Sequence, residues 1–128
     1  MDLDFKKLDG LLPAVIQDAG SGEVLMRGFM NAEAYAATQK SGEVTFYSRS
    51  RNKLWRKGEQ SGHVLRVREI RVDCDVDTLL IRVEALGPGV CHEGYRSCFF
   101  RQLSPAGEAK VVSERTFDPN AVYGKDAR

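Results

Sequence analysis

Three cysteines are the residues of this chain best suited to binding a metal ion. Cys91 and Cys98 lie in the glycine-containing stretch Gly89-Val90-Cys91-His92-Glu93-Gly94-Tyr95-Arg96-Ser97-Cys98, and Cys74 lies upstream. Because glycine lets a backbone curl, the thiols can converge with the imidazole of His92. Three thiolates leave the fourth tetrahedral position of a zinc ion open, as a catalytic site requires, whereas a histidine in that position closes the site. The residues predict zinc and leave these two arrangements open, and three unrelated buried cysteines are the alternative.

Three carboxylates occupy every second position of Asp73-Cys74-Asp75-Val76-Asp77. In an extended strand alternate side chains share one face, so we expect the carboxylates to lie together and Cys74 and Val76 to point away. Crowded carboxylates repel each other, and a hard cation such as Mg²⁺, Ca²⁺ or Mn²⁺ relieves that repulsion. A solvated polar edge or turn has the same pattern, so both interpretations stay open at this point.

The stretch from Tyr47 to His63 interleaves basic residues and hydroxyls with the only tryptophan, Trp55. Guanidinium, ammonium and glycine N–H groups suit phosphate, and an indole ring can stack on a base. Three interpretations are open: a basic surface loop with a buried tryptophan, a single-stranded nucleic-acid site, and a site for a phosphorylated nucleotide. The balanced charge of the chain weakens the second of these.

The composition is that of an ordinary globular chain. Its 128 residues include 42% apolar and 29% charged side chains, and 19 basic against 18 acidic residues give a net charge of +1. This balance provides no long-range field for nucleic acid or an anionic membrane. No apolar run approaches the length of a bilayer span, and the first residues, Met1-Asp2-Leu3-Asp4-Phe5, lack a secretory signal pattern. We expect a cytoplasmic protein without nucleic-acid or membrane partners.

Local patterns predict a hairpin and one main helix. Ala14-Val15-Ile16 and Val24-Leu25-Met26 flank the turn Asp18-Ala19-Gly20-Ser21-Gly22, which is typical of a β-hairpin. Asn31 suits the N-cap of a helix over about residues 32–40, and Gly42 suits its C-terminal end.

Apolar alternation predicts further strands over residues 43–48, 64–73, 79–85 and 95–103, the last of them in the core. The second of these changes its apolar face near Arg68 and Glu69, which predicts a bulge there. Lys110-Val111-Val112 can add a short edge strand, and Phe117 to Gly124 is expected to lie on the surface as an extension. The prediction is an α+β fold with a mostly antiparallel or mixed β-sheet and one main helix. It forms one domain over residues 1–128, with a core over about 11–103 and a C-terminal extension over 104–128.

Three long motifs closely resemble those of the phosphoribosyl-AMP cyclohydrolases. They are Trp55-Arg56-Lys57-Gly58-Glu59-Gln60-Ser61-Gly62-His63, Asp73-Cys74-Asp75-Val76-Asp77-Thr78-Leu79-Leu80 and Cys91-His92-Glu93-Gly94-Tyr95-Arg96-Ser97-Cys98-Phe99. The match runs in order from about Leu11 to Leu103 and includes Met30-Asn31-Ala32-Glu33-Ala34 and Phe46-Tyr47-Ser48-Arg49-Ser50. Asp118-Pro119 and Tyr123-Gly124-Lys125 also resemble the end of the single-function bacterial members.

The resemblance implies a homodimeric enzyme of histidine biosynthesis that depends on zinc and also needs Mg²⁺. It implies that zinc is bound by Cys74, Cys91 and Cys98, and that Mg²⁺ is bound by Asp73, Asp75 and Asp77. The zinc site of this family is shared between subunits. Cys74 would therefore come from one chain and the other two cysteines from its partner.

The implied reaction opens the adenine ring of N1-(5-phosphoribosyl)-AMP by hydrolysing the N1–C6 bond. Substitution at N1 makes C6 a good electrophile, and attack of zinc-bound hydroxide on C6 gives a tetrahedral centre from which N1 leaves. His92 is the candidate general base or proton shuttle, and its alternative role is that of a zinc ligand. The candidate substrate-binding residues are Arg49, Trp55, Lys57, Glu59 and Ser61, and Arg51, Arg96 and Ser48 are further candidates for holding phosphate.

Two other functions compete with this interpretation. A non-catalytic, zinc-stabilised module that binds nucleotides or RNA predicts a closed site of three cysteines and one histidine, with no turnover. A zinc deaminase predicts release of ammonia, but the chain lacks the separated H-x-E and P-C-x-x-C elements of those enzymes.

Overall fold

The computed structural model describes residues 1–123. In chain order the elements are β1 (Leu12–Asp18), β2 (Val24–Met30), α1 (Ala32–Ser41), β3 (Thr45–Ser48), β4 (Lys53–Arg56), β5 (Leu65–Val72), β6 (Leu79–Ala85), β7 (Arg101–Leu103), β8 (Ala109–Val111) and α2 (Pro119–Tyr123). The predicted α+β fold with one main helix is confirmed. Within the described residues, neither helix has the length and apolar character needed to cross a membrane.

A four-stranded mixed sheet, in the order β2-β1-β6-β5, forms the centre of the fold. β1 pairs antiparallel with β2, as β5 does with β6, whereas β1 and β6 run parallel, with Asp18 opposite Val83. Because parallel strands end at the same edge, the loops that follow β1 and β6 lie close together. The chain after β6 contains Cys91, His92 and Cys98.

One face of the sheet forms the hydrophobic core. Leu12 and Ile16 of β1 and Ile81 of β6 are fully buried and pack with Ala34 of α1 and Phe46 of β3. The period of two in the sequence explains this burial, because alternate side chains of a strand point to opposite faces. Each large apolar side chain buried in this way stabilises the fold by about 1.5–3 kcal/mol.

The predicted hairpin, helix boundaries and bulge are confirmed. The Oδ1 atom of Asn31 accepts a hydrogen bond from the N–H of Ala34 at 2.8 Å, and Gly42 ends the helix with φ 73°. A side chain at that φ is strained, so glycine favours the end of the helix there. The register of β5 against β6 shifts between Val67 and Glu69, at the predicted bulge.

The predicted core strand over residues 95–103 is wrong. Only Arg101–Leu103 forms a strand, and all three of its residues are exposed. Tyr95 and Phe100 instead stack with ring centroids 3.8 Å apart and planes 5° apart. The chain therefore folds back on itself, and this contact buries Tyr95 and Phe100, whereas Phe99 and Leu103 stay exposed.

Two small hairpins flank the main sheet. β7 pairs with β8, which corresponds to the predicted edge strand near residues 110–112. β3 pairs with β4 and places Phe46 opposite Trp55, with ring centroids 5.1 Å apart. The sequence pattern does not predict β4, because basic residues surround its two large apolar side chains. The β3–β4 hairpin presents Trp55 towards the candidate site described next.

Candidate active site

The loop over residues 89–98, which we call the thiol loop, follows β6 and carries two of the three cysteines. The N–H of Cys98 donates to the carbonyl oxygen of Leu25 at 2.7 Å, and the hydroxyl of Ser97 donates to that of Val24 at 2.7 Å. These two bonds hold the end of the loop against β2. The loop is therefore fixed by the main sheet although it contains no regular strand.

The thiols of Cys91 and Cys98 form a hydrogen-bonded pair. The hydrogen bond that the thiol of Cys98 donates to Cys91 lowers the pKa of Cys91 to about 6. Burial opposes this shift, whereas the backbone N–H groups of Glu93 and Tyr95 and the charge of His92 contribute to it. The same bond and burial raise the pKa of Cys98. Because the thiolate is the form that binds metals, the pair offers one ready ligand and one thiol that a metal would deprotonate. Two sulfur atoms in this state fit zinc.

Cys74 lies at the opposite end of β6 from the thiol loop. It is exposed, and its thiol lies 3.7 Å from the Oδ1 atom of Asp75. The intervening strand has seven residues and spans about 20 Å. One copy of the chain therefore brings together Cys91 and Cys98 but not all three predicted zinc ligands.

Residues 73–77, which we call the acidic turn, bring the three predicted carboxylates together. Oxygen atoms of Asp73, Asp75 and Asp77 lie within 4.8 Å of one another. The expected extended strand is wrong, because the backbone turns here, with Val76 at φ 56°. The turn is closed by Oδ1 of Asp73, which accepts from the N–H groups of Asp77 at 3.1 Å and Thr78 at 3.2 Å. Carboxylate oxygens in this number suit a hard divalent cation.

A lysine side chain already contacts this turn. The Nζ atom of Lys7 lies 2.9 Å from the Oδ2 atom of Asp77, and this hydrogen bond lowers the pKa of Asp77. The lysine is half exposed, at 52% of its side chain. Any divalent cation at the acidic turn meets this ammonium group.

A pocket of about 310 Å³ lies between the end of β4 and the thiol loop, and we call it the β4 pocket. It is lined by Trp55, Lys57, Glu59, Ser61 and His92, which are five of the six residues predicted for catalysis and substrate binding. The first four come from β4 and the turn after it, and His92 comes from the thiol loop. The structure thus joins two motifs that residues 64–90 separate in the sequence.

Lys57 links the β4 pocket to the thiols electrostatically. Burial lowers the pKa of Lys57, and negative charge at Cys98 and Cys91 opposes that effect. Its Nζ atom lies 5.9 Å from the ring centroid of Trp55. A partly desolvated ammonium beside an aromatic ring can hold an anionic group of a ligand.

Arg49, the sixth predicted residue, lines a neighbouring pocket of about 640 Å³ rather than the β4 pocket. Its guanidinium lies 4.2 Å from the ring centroid of Phe29, and that of Arg27 lies 4.8 Å from the same ring. Neither arginine forms an ion pair with any of residues 1–123. Trp55 lines both pockets, so the two cavities adjoin across its side chain.

Arg96, a further phosphate candidate, is engaged in the fold instead. Its Nε atom lies 2.9 Å from Oε1 of Glu23, and its Nη2 atom lies 2.5 Å from Oδ2 of Asp18. Burial opposes ionisation of Asp18, but N–H groups of Ser21 and Gly20 and the guanidinium outweigh it and hold its pKa below the usual value. Arg96 therefore joins the thiol loop to the β1–β2 turn.

Four residues that line the β4 pocket were not among the candidates: Arg56, Gly58 and Gln60, which lie within the first motif, and Tyr123, which lies outside all three motifs. The expected surface extension over residues 117–124 packs over the thiol loop, and α2 brings Tyr123 to the pocket; Gly124 lies outside the described residues. The available signal was the resemblance of the final residues to other members of the family. It carried no indication of where that segment lies.

Comparisons with known proteins show the family of this chain. The family model described as phosphoribosyl-AMP cyclohydrolase matches residues 26–100. A phosphoribosyl-AMP cyclohydrolase of Solibacter usitatus is 64% identical over 97% of this chain and 98% of its own length. An enzyme of the same name from Nitratidesulfovibrio vulgaris is 53% identical over 94% of this chain and 94% of its own length. Another from Methanosarcina barkeri is 54% identical over 96% of this chain and 92% of its own length. The chain belongs to the phosphoribosyl-AMP cyclohydrolase family.

Proposed function

We propose that this enzyme opens the adenine ring of N1-(5-phosphoribosyl)-AMP by hydrolysing its N1–C6 bond in histidine biosynthesis. The observation that carries the proposal is the β4 pocket, which joins His92 to an aromatic ring, an ammonium group and a hydroxyl beside the thiol loop. The reaction needs a nucleophile at C6, a proton carrier and groups that hold two phosphates. Because this substrate is doubly phosphorylated and does not cross membranes, the enzyme works in the cytoplasm.

Cys91 and Cys98 would hold a zinc ion together with Cys74 of the partner subunit. Their hydrogen-bonded thiols, one with its pKa lowered to about 6, are suited to such a site. Zinc bound there lowers the pKa of water towards neutrality and so provides a nucleophile at neutral pH.

His92 moves the proton. Its side chain is exposed, lines the β4 pocket and follows Cys91 directly, so its imidazole lies beside the metal-binding thiols. An imidazole nitrogen accepts a proton from the attacking water and passes it to N1 as the N1–C6 bond breaks. The exocyclic nitrogen stays on C6 and becomes part of a carboxamide, so no ammonia is released.

Each of the two pockets beside Trp55 binds a different part of the substrate. Trp55 stacks on the purine, and Lys57 with Ser61 binds one 5′-phosphate in the β4 pocket. Glu59 accepts a hydrogen bond from a ribose hydroxyl. Arg49 binds the second phosphate in the neighbouring pocket, where no carboxylate of residues 1–123 neutralises it.

The acidic turn binds Mg²⁺ through Asp73, Asp75 and Asp77. The support for this assignment is the gathering of three carboxylates within 4.8 Å, since the single ammonium group of Lys7 does not balance their three charges. A Mg²⁺ ion also fits the reaction, because it can neutralise a substrate phosphate.

The active enzyme is a homodimer in which each site uses both copies. Cys74 and the thiol loop lie at opposite ends of β6, so three thiols converge only when two copies meet. A two-fold axis that brings Cys74 of one copy to the thiol loop of the other repeats the contact symmetrically and completes two sites. Each copy is one domain over residues 1–128 in this proposal.

Exposed apolar side chains support this assembly. Phe99, Leu103 and Val111, on or next to the β7–β8 hairpin, are 61%, 70% and 51% exposed in the single chain. An apolar groove that includes Val15 and Leu80 lies on the sheet beside the acidic turn. Docking of the hairpin of one copy into the groove of the other would cover both surfaces near Cys74.

The test is to incubate the purified protein, with zinc retained and Mg²⁺ added, with phosphoribosyl-AMP and to follow product mass and ammonia. A product heavier than the substrate by one water, with no ammonia, is the expected result. Ammonia release would instead identify a deaminase. Absence of turnover in folded, zinc-loaded dimer would contradict the proposal and favour a non-catalytic nucleotide-binding role.

A further inference from the structure

The C-terminal segment over residues 115–123 is fastened to the thiol loop. The N–H of Thr116 donates to the carbonyl oxygen of Gly94 at 2.8 Å, and Nε of Arg115 donates to that of Glu93 at 2.8 Å. The loop and the segment therefore share a fixed register immediately beside His92.

Gly94 shows how closely the C-terminal segment approaches the thiol loop. A Cβ atom at this position would lie 2.6 Å from the carbonyl oxygen of Phe117 and 2.9 Å from Cδ of Pro119, and its φ of 95° also favours glycine. Backbone cannot move aside as a flexible side chain does. The thiol loop is thus built to receive this segment.

His63 provides a second anchor for the segment. Its ring packs edge-on against Phe117, with centroids 5.0 Å apart, and its Nδ1 atom lies 3.1 Å from the carbonyl oxygen of Gly89. One imidazole therefore contacts both the start of the thiol loop and the C-terminal segment. These contacts fix where α2 begins.

Given these anchors, α2 delivers Tyr123 to the wall of the β4 pocket, opposite residues that the proposed function assigns to the substrate. Tyr123 lines this pocket together with Trp55, Lys57 and His92. It also lines the adjoining cavity of about 600 Å³, so it stands where the two spaces meet. A phenol in such a place offers an apolar ring and a hydroxyl that can donate to an anion.

We infer that Tyr123 is a substrate-binding residue whose hydroxyl donates a hydrogen bond to a phosphate oxygen of the bound nucleotide. This inference rests on the proposed function. It assigns to the C-terminal segment a direct part in closing the pocket over the substrate, in addition to its packing on the thiol loop.

The experiment compares Tyr123→Phe and Tyr123→Ala with the wild type in steady-state turnover of phosphoribosyl-AMP. Loss of one hydrogen bond to a charged group raises KM about tenfold or more in Tyr123→Phe, with kcat changed less than twofold. Tyr123→Ala raises KM further. The matched control is Tyr35→Phe, because that phenol contacts Gln39 on the surface of α1 and is not among the residues that line the β4 pocket; its KM stays at the wild-type value.

Unchanged KM in both Tyr123 variants overturns the inference, and so does a fall in kcat at constant KM. Tyr123→Phe retains the ring and its packing, so the test stands even if Tyr123→Ala fails to fold. Wild-type turnover in the same assay separates the two proposals. If the wild type turns over and the variants match it, only the role of Tyr123 fails; if the wild type does not turn over, both proposals fail.

Discussion

At the scale of single residues, charge is arranged differently at the two proposed metal sites. Within the thiol pair, the interaction between the two thiols lowers the pKa of Cys91 and, together with burial, raises that of Cys98. The acidic turn instead has a cation within the chain, because Lys7 lies 2.9 Å from Asp77. A divalent ion at this turn therefore competes with an ammonium group for one of its three carboxylates.

Lys7→Gln should strengthen Mg²⁺ binding. An exposed ion pair of this kind contributes little, so we expect Mg²⁺ to bind more tightly by at most roughly fivefold. The measurement is calorimetric titration of Mg²⁺ at low ionic strength, with the difference shrinking at high salt. The control is Lys6→Gln, since Lys6 forms no ion pair within residues 1–123. Equal or weaker binding by Lys7→Gln would show that the lysine does not compete.

At the scale of elements, the sequence predicts what local interactions determine. Asn31 and Gly42 mark the ends of α1 because a cap bond and a positive φ are local requirements. The strand predicted over residues 95–103 fails because stacking of Tyr95 on Phe100 and the bonds that hold Ser97 to β2 are made through space. The motifs in the sequence identified Trp55, Lys57 and His92 of the β4 pocket. They could not show that Tyr123 reaches this pocket or that Arg49 lines the neighbouring one, because contacts through space determine both positions.

The ion pairs by which Arg96 joins the thiol loop to the β1–β2 turn lead to a prediction about how stability depends on pH. Asp18 has a lowered pKa in the folded state, so its ionised form stabilises the fold above its ordinary value of 3.8, and that contribution is lost as pH falls through the folded pKa. Asp18→Asn should lower the free energy of unfolding at pH 7 by about 1–3 kcal/mol. The difference from wild type should shrink below about pH 4.

Urea unfolding at fixed protein concentration, followed from pH 7 to pH 3, measures this effect. Glu23→Gln is the matched control, because Glu23 contacts the same arginine but its side chain is 41% exposed. It should cost less than about 1 kcal/mol. If both variants lose the same free energy of unfolding, or if the loss in Asp18→Asn does not change with pH, the proposed contribution of the Asp18–Arg96 ion pair is contradicted.

At the scale of the whole molecule, the separation of Cys74 from the thiol loop is the main feature to explain. The two lie at opposite ends of β6, about 20 Å apart along the strand. Exposed Phe99 and Leu103 lie close in sequence to Cys98, and the groove that includes Leu80 lies beside the acidic turn. Together they favour a dimer in which each metal site, and hence each active site, draws on both chains.

Subunit complementation tests this account most directly. Cys74→Ser and Cys98→Ser proteins are each expected to be inactive, and both are mixed after reversible unfolding so that subunits exchange. A mixed dimer then contains one site with all three cysteines and one site that lacks two of them. With half of the dimers mixed, the account predicts recovery of about a quarter of the wild-type activity, together with zinc in the restored site. Activity that stays at the level of the separate variants, in mixtures where mass spectrometry demonstrates mixed dimers, would contradict a shared site.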